Sequence, residues 1–586
     1  MKQKAKKTVG LAITALLVCL NEMTYAQSGT LDAGFGTNGL VVNSIGSGSD
    51  RGNCITIQMD GKILVAGYTF NGTNNDFAIM RLNSNGTLDN TFDSDGIVTT
   101  VLGSGNDEIN AIALQSDGKI VVAGTSNNGY GSNIAVARYN SNGSLDLSFN
   151  SIGSVQTIIG SNSVTKTLAL QNDGKIVVGG FASPNPNYDY FVARFNADGS
   201  LDNSFDGDGS ITTTIDNYQD YGYSLAIQAD GKILLAGSNT TSSFDQFSVV
   251  RFNSDGSLDN SFDSDGKVNI NLGSSYSGAS ALAIQADNKI LLGGYSYNGT
   301  YTDFTIVRLK PNGSIDSTFD NDGIVTTEIG NFNDFIYSLI VQSDGKILAG
   351  GSKSDGSTND FAIVRYNQNG SIDSTFNGNG ILVTSVSGSN DVIRGLAIQT
   401  DGKLLAAGYS NNVSSDDFAI ARYHNCVHAD TTVTVNGNTI TSNQNGTTYQ
   451  WIDCSNNTPI IGATGQSFTP TSNGSYAVIV NVNGCYSDTS VCINITNIFV
   501  DDSEEINKIS IYPNPSSSQI FIQSDILLVN AYLIIYDSFG RKVMESKDIN
   551  GYNHTINIEQ LTNGVYYIQL SIENNLKLTN KLLKFN

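Results

Sequence analysis

The sequence predicts an all-β chain, a seven-bladed β-propeller followed by two small β-sandwiches. Three observations carry this. No long segment shows an apolar face at 3.6-residue spacing, so no helix is expected. Glycine is abundant (61) and proline scarce (7), and Asn, Asp, Ser and Thr crowd the breaks between short apolar runs, the chemistry of tight turns between strands. Finally, three separate markers recur seven times, the mark of a repeat architecture.

The first marker is Asp-Gly-Lys, at Asp60, Asp117, Asp173, Asp230, Asp344 and Asp401, with an Asp-Asn-Lys copy at Asp287; successive spacings are 57, 56, 57, 57, 57 and 57. The second is Leu/Ile-Asp-x-x-Phe, starting at Leu31, Leu88, Leu145, Leu201, Leu258, Ile315 and Ile372. The third is an arginine at Arg81, Arg138, Arg194, Arg251, Arg308, Arg365 and Arg422.

Residues 109–150 show how one unit is built. Ile109–Gln115 is a short apolar strand, and Ser116-Asp117-Gly118 is a turn that needs positive φ. Lys119–Gly124 is a nearly continuous β-branched run, expected of a strand buried on both faces. After the Asn127-Asn128-Gly129 loop, Ile134–Asn140 is a third strand with alternating outlook. Ser144–Phe149 and the segment after it supply a fourth strand, corresponding to Gly96–Val101 one unit earlier. Four antiparallel strands per repeat make a propeller blade. A helical solenoid lacks its 3.6-residue faces here, and a parallel β-helix has shorter coils.

The region begins with a fourth element (Leu31–Val42) and ends after a third (Phe418–Tyr423). The leading segment is therefore expected to complete the seventh blade and close the ring, removing exposed edges. These units resemble the delta-60 repeat family of bacterial β-propellers over about residues 29–424, and more loosely NHL-type blades. The resemblance implies a fold and carries no catalytic residues.

Phe77, Ile79 and Arg81 share one strand face. An arginine facing the core needs an anion, and the Asp of Leu-Asp-x-x-Phe, such as Asp89, recurs as often. Structural Arg–Asp pairs are expected in every blade, in preference to a ring of anion sites. The turns containing Asp93 and Asp95, Asp206 and Asp208, Asp263 and Asp265, and Asp320 and Asp322 resemble fragments of calcium loops. Each lacks a downstream bidentate acid, and three copies (at Gly36, Asn150 and Asn377) depart from the pattern. Turn formation is the preferred reading and calcium the alternative; no other cofactor is expected.

No catalytic constellation is legible. The three histidines, His424, His428 and His554, lie outside the blades' repeated segments, and there is no nucleophile elbow or metal-spaced His cluster. Tyr188, Tyr190, Tyr218, Tyr221, Tyr223, Tyr276, Tyr295, Tyr297 and Tyr301 enrich the middle blades. That is strand-edge composition first, and a carbohydrate or protein contact surface second.

The formal charge is −23, and about −26 once residues 1–26 are removed. Such a surface disfavours nucleic acid and anionic lipid. Residues 1–26 read as a signal peptide: Lys2, Lys4, Lys6 and Lys7, an apolar Val9–Leu20, and Thr24-Tyr25-Ala26 before Gln27. A lipoprotein reading through Cys19 is disfavoured by the bulky Val18. No segment is long enough to span a membrane as a helix. Cys54 is expected to act as a small buried hydrophobe. Cys426, Cys454, Cys485 and Cys492 suggest two disulfides in an exported chain, with three connectivities open; zinc spacing is absent.

Thr447–Asp453, Gln466–Thr469, Gly474–Val482 and Asp488–Ile495 read as strands around Trp451, and the segment resembles the small Ig-like modules of Bacteroidetes surface proteins. Farther on come Tyr512-Pro513-Asn514-Pro515, then Leu533–Asp537 with Gly540-Arg541, then Leu561–Tyr567 and an apolar, lysine-bearing end. This order resembles the type A sorting domain of the type IX secretion system. The resemblance implies export through the periplasm to the outer surface or the medium, the secretion machinery as partner, and removal of the domain.

The expected organisation is a signal peptide (1–26), the propeller (27–424), an Ig-like disulfide-containing β-sandwich (425–500), an acidic linker (501–507) and a small C-terminal β-sandwich sorting domain (508–586). The expected function is binding or adhesion toward a glycan or protein. The alternative is a secreted polysaccharide-acting enzyme with its site in the propeller channel.

Overall fold

The computed structural model describes residues 28–585 except 130, 184–186, 274, 413, 426–430, 445–447, 482–486, 497–508 and 572–576. The expected signal peptide, Cys426, Cys485 and the acidic linker lie outside the described residues. The chain divides into two compact units, one holding the repeats and one the C-terminal segments.

Seven four-stranded antiparallel sheets form the first unit. Blade 1 consists of Asp50–Ile57, Ile63–Phe70, Asn75–Leu82 and Ile97–Thr100. Blades 2 to 6 repeat that order, beginning with Asp107–Leu114, Ser163–Leu170, Asp220–Ile227, Ser277–Ile284 and Asp334–Val341. Blade 7 takes three strands from the end of the region, Asp391–Ile398, Leu404–Asn411 and Asp416–Tyr423. Its fourth comes from the beginning: Leu40–Asn43 pairs antiparallel with Asp416–Tyr423, Leu40 opposite Ala421 and Asn43 opposite Phe418. Backbone bonds from Gly29 N to His424 O (2.7 Å) and from Asp32 N to Arg422 O (2.8 Å) extend the seam.

The core lies between blades. Leu64, Ala66, Phe77 and Ile79 of blade 1 pack against Ile120, Val122, Ala135 and Tyr139 of blade 2, and Leu405, Ala407 and Phe418 of blade 7 pack against Ile63, Val65 and Met80 of blade 1. A strand between two neighbouring sheets has no solvent face. Ser132–Tyr139 is therefore buried along nearly its whole length rather than alternating. The fourth strands are also shorter than expected. Leu145 makes a single bridge to Tyr139, the chain then turns, and only Ser154–Thr157 pairs as a strand. Cys54 is half-buried, its Sγ 3.5 Å from Ala66 O. It occupies a place that the other blades fill with Ala111, Thr167, Ser224, Ala281, Ser338 and Gly395.

In the second unit, Thr448–Asp453 and Gly474–Asn481 centre a five-stranded sheet. Trp451 is fully buried, stacks on Phe468 with ring centroids 5.4 Å apart, and donates its Nε1–H to Gly465 O at 2.9 Å. Cys454 is bonded to Cys492. The hairpin Val433–Asn436 and Thr439–Ser442 adds an element not expected from sequence, turned at Gly437 with φ +60°.

Farther along, Ile509–Tyr512, Gln519–Asp537, Lys542–Asn557, Gly564–Ser571 and Lys577–Lys584 form one antiparallel sheet. The two long strands slip register between Gln523 and Leu533. Ile520, Ile522, Leu533, Ile535, Ile556 and Leu570 point into its core in the alternation of half-buried strands.

Candidate functional site

The three repeated markers meet in one cluster per blade. Each arginine of the third marker sits 2.6–2.9 Å from the Asp of Leu-Asp-x-x-Phe, from Arg81 with Asp89 round to Arg422 with Asp32. The lysine of the Asp-Gly-Lys turn reaches the same carboxylate oxygen at 2.8–3.3 Å. The Phe of the same element lies under the guanidinium, 4.4–4.8 Å from its centroid.

The arginine also reaches into the following blade. Arg138 donates to Ala197 O and Arg308 to Gln368 O at 2.5 and 2.6 Å, Arg81 to Ser141 O, and, across the seam, Arg422 to Ser84 O. Arg365 donates to Ser28 Oγ and Asn425 Oδ1. The arginine and aspartate markers are thus brought together as expected in outline, but the lysine and the inter-blade bond were not foreseen.

The Asp-x-Asp-Gly turns serve the same cohesion. Asp93, Asp206, Asp263 and Asp320 have φ of 46–50°, and their amides bond to carbonyls in the next blade. Asp95, Asp208, Asp265 and Asp322 accept the amide two residues on, at 2.9 Å. Asn379 does so equally well at 3.0 Å. Among the described residues no group of three or more His, Cys, Asp or Glu side chains converges.

At the other end of the strands, the first strands of all seven blades surround one cavity of about 500 Å³. Each carries a bulge at the same step, between Gly52 and Cys54 in blade 1 and between Ile393 and Gly395 in blade 7. The extra residues are Asn53, Asn110, Lys166, Tyr223, Ser280, Tyr337 and Arg394, and all seven line the cavity. A bulge leaves one residue unpaired and re-aims it. It also presses a carbonyl against the neighbouring strand: a Cβ at Gly67 would collide with Arg51 O, and each blade has a glycine at that place.

The shorter members tie to the next blade, Asn53 and Asn110 donating at 2.9 Å to Ile109 O and Thr165 O. Lys166 and Arg394 make no hydrogen bond or ion pair among the described residues, and Arg394 Nε is buried. The Arg394 guanidinium lies 4.3 Å over the Tyr337 ring and 5.7 Å from Tyr409. Arg51, also in the wall, pairs with Asp416 at 2.5 Å. Among the described residues Glu108 is the one acid in the wall. Burial pushes the Lys166 ammonium down; Glu108 opposes this and Arg394 adds to it. Burial raises Tyr223 to about 12.

The tyrosines form an arc round this mouth. Tyr276 and Tyr295 lie 5.0 Å apart, Tyr295 and Phe335 5.1 Å, and Tyr221 and Phe181 5.0 Å. From Tyr276 and Phe335 a second hollow runs outward past Tyr297 and Tyr301. Tyr190 is different: it is fully buried, with its hydroxyl 2.8 Å from Ser248 Oγ. Tyr218 is exposed and outside both hollows.

Two buried carboxyls beside the mouth make a pH prediction. Asp220 and Asp334 open their strands and accept amides of the preceding loop, Asp220 from Ile215 (2.7 Å) and Asp334 from Ile329 (3.1 Å). Burial overrides these bonds and lifts Asp220 to about 7 and Asp334 to about 6. Unfolded carboxyls titrate near ~4. Their contribution is therefore fully present below about pH 4 and lost as the pH rises through about 7. The melting temperature is expected to fall between pH 5 and 7.5, and Asp220→Asn, neutral throughout, to flatten that fall. Differential scanning fluorimetry checks this. The clamp carboxylates act below that window: burial works against them, but hydrogen bonds and the Arg308 and Arg365 charges hold Asp316 and Asp373 down to about 2.

In the terminal domain, Asn514 accepts from Leu583 N at 2.8 Å and donates to Lys581 O, and Lys584 donates to Ser517 O. The Tyr512-Pro513-Asn514-Pro515 turn is so fastened to the last strand, while Tyr512 remains partly exposed. Gly540 takes φ +78° in a separate turn, where Arg541 Nε meets Asp537 at 2.8 Å.

The bulge ring escaped the sequence reading because its members share no chemistry. Aligning the units on Asp-Gly-Lys would have exposed it as a column of the first strand that changes from blade to blade yet holds no aliphatic residue.

Comparison with known proteins divides the chain in the same way. A model described as a domain of unknown function (DUF5122) beta-propeller matches residues 58–92, 115–149, 171–205, 228–262, 285–319, 342–376 and 399–425. A secretion system C-terminal sorting domain matches residues 510–584. No curated protein matches the chain. Among solved structures, the polysaccharide lyase Uly1 is similar at 11% identity and TM-score 0.39, over 64% of this chain and 90% of that one. Sqt1 from Chaetomium thermophilum is similar at 12% and 0.38, over 68% and 98%. The extracellular domain of the putative hybrid two component system BT4673 from B. thetaiotaomicron is similar at 8% and 0.27, over 93% and 99%.

Proposed function

From a chain that carries seven β-propeller repeats and a type IX sorting domain, and is therefore exported to the cell surface or the medium, we propose a binding protein whose ligand seat is the channel mouth. The ligand is an extended glycan. The carrying observation is the tyrosine arc at that mouth, continued outward by the hollow past Tyr297 and Tyr301. Tyrosine offers an apolar face to sugar C–H groups and a hydroxyl to sugar oxygens, and a cavity of about 500 Å³ is of small-ligand size. On this reading the terminal domain is an address, cut away on export.

A second reading, a secreted polysaccharide-acting enzyme, draws support from the unlike side chains of the bulge ring. One experiment separates them. The exported protein is titrated with a panel of soluble polysaccharides while reducing ends are assayed. Binding without new ends is expected, weakened about tenfold or more by Tyr276→Ala. Release of new ends favours the enzyme. Affinity unchanged by Tyr276→Ala and by Tyr337→Ala removes the mouth as the seat.

A further inference from the structure

We propose that the channel mouth selects an anionic saccharide, its carboxylate or sulfate group seated between Lys166 and Arg394; this rests on the glycan-binding reading above. The clamps use fourteen cations, each against a buried aspartate. Arg51 has Asp416. Lys166 and Arg394 stand apart from this pattern. Both occupy bulges, both line one cavity, both are half-buried, and neither has an ion pair or hydrogen bond among the described residues.

Withdrawing a cation from water without a counter-charge is costly. An anion bound in the cavity would supply that counter-charge for both. Arg394 is held flat by Tyr337, 4.3 Å away, so its edge stays available for the paired donors that recognise carboxylate or sulfate. Glu108 accepts from Asn75 Nδ2 at 3.0 Å, and with Arg51 neutralised by Asp416 it leaves the wall with a net positive balance. The whole chain carries −23. A polyanion is thus repelled by the general surface and accepted at one place, an arrangement that yields specificity. Tyrosines on both sides of the pair favour a sugar chain over an acidic peptide, because flat rings cover pyranose faces.

Calorimetric titration of the exported protein tests this, with polygalacturonate (carboxylate only), carrageenan (sulfate only), methyl-esterified polygalacturonate and laminarin (both neutral), and poly-glutamate. One or both anionic polysaccharides are expected to bind, which names the anion, and the neutral ones to bind about tenfold more weakly or worse. Lys166→Met and Arg394→Met should each weaken binding about tenfold or more without lowering the melting temperature. Raising NaCl from about 50 to about 500 mM should weaken it further. Neutral and anionic polysaccharides binding alike, or folded Lys166→Met and Arg394→Met variants binding as wild type, overturn the charge assignment and leave the glycan seat standing. Poly-glutamate binding as tightly as the polysaccharides overturns the saccharide assignment. Failure of every polysaccharide overturns both.

Discussion

Replacing Asp202 with alanine lowers the unfolding free energy of the propeller by about 3–5 kcal/mol, the cost of leaving a buried cation without its partner. Asp202 receives Arg194 Nε at 2.6 Å, Lys175 Nζ at 2.8 Å, and both the hydroxyl and amide of Ser204 at 2.7 and 3.1 Å. Lys175 is partly exposed and can retreat into water. Arg194, 6% exposed at its side chain, cannot. Pairing Asp202→Leu with Arg194→Met should cost less than the two single losses together, because apolar groups can replace a buried ion pair with little net loss. Equilibrium urea unfolding of the singles and the double reads this coupling. A loss under about 1 kcal/mol for Asp202→Ala would show the clamp idle.

Deleting residues 28–43 is expected to do more damage than any single clamp. The seventh sheet would keep three strands, with the backbone of Asp416–Tyr423 bare along one side. Arg422 and Lys403 would lose Asp32, Arg365 would lose Ser28, and the fully buried Phe35 would leave the packing between blades 7 and 1. A bare strand edge recruits other chains. The shortened protein should melt lower and run as dimers and larger species in size exclusion with light scattering. Placing 28–43 after Tyr423 instead restores the order of the other six blades and should restore a monomer. A monomeric, fully stable deletion would show that the seam is dispensable.

The architecture was legible because it is written seven times. Spacing, turn chemistry and a β-branched run fixed four strands per unit, and the orphan element before Asp60 pointed to the seam. Arginine on a core-facing strand demanded an anion, and Asp89 and its equivalents supplied it. Lys62 was missed as a partner because a lysine after a tight turn looks like a solvated one. The fourth strand was overextended because Leu145 and Phe149 look like strand residues, whereas one makes a lone bridge and the other packs under Arg138. The mouth was hidden for a different reason. A bulge depends on pairing between strands, so Asn53 and Lys166 carry no local mark of it. The tyrosines were seen as a group, but only the fold separates Tyr190 in the core from Tyr276 and Tyr295 at the mouth.

The bulged strands have a consequence for how this molecule can change. Cohesion is carried where the strands meet the Asp-Gly-Lys turns, and the mouth is about four residues away along the same strands, roughly 13 Å at the rise of a β-strand. Each of the seven bulges adds one residue that the sheet does not need for pairing. The mouth is therefore a seven-letter word spelled one letter per blade, and a new letter at position 166 or 394 alters its meaning without loosening the ring that holds the letters in place.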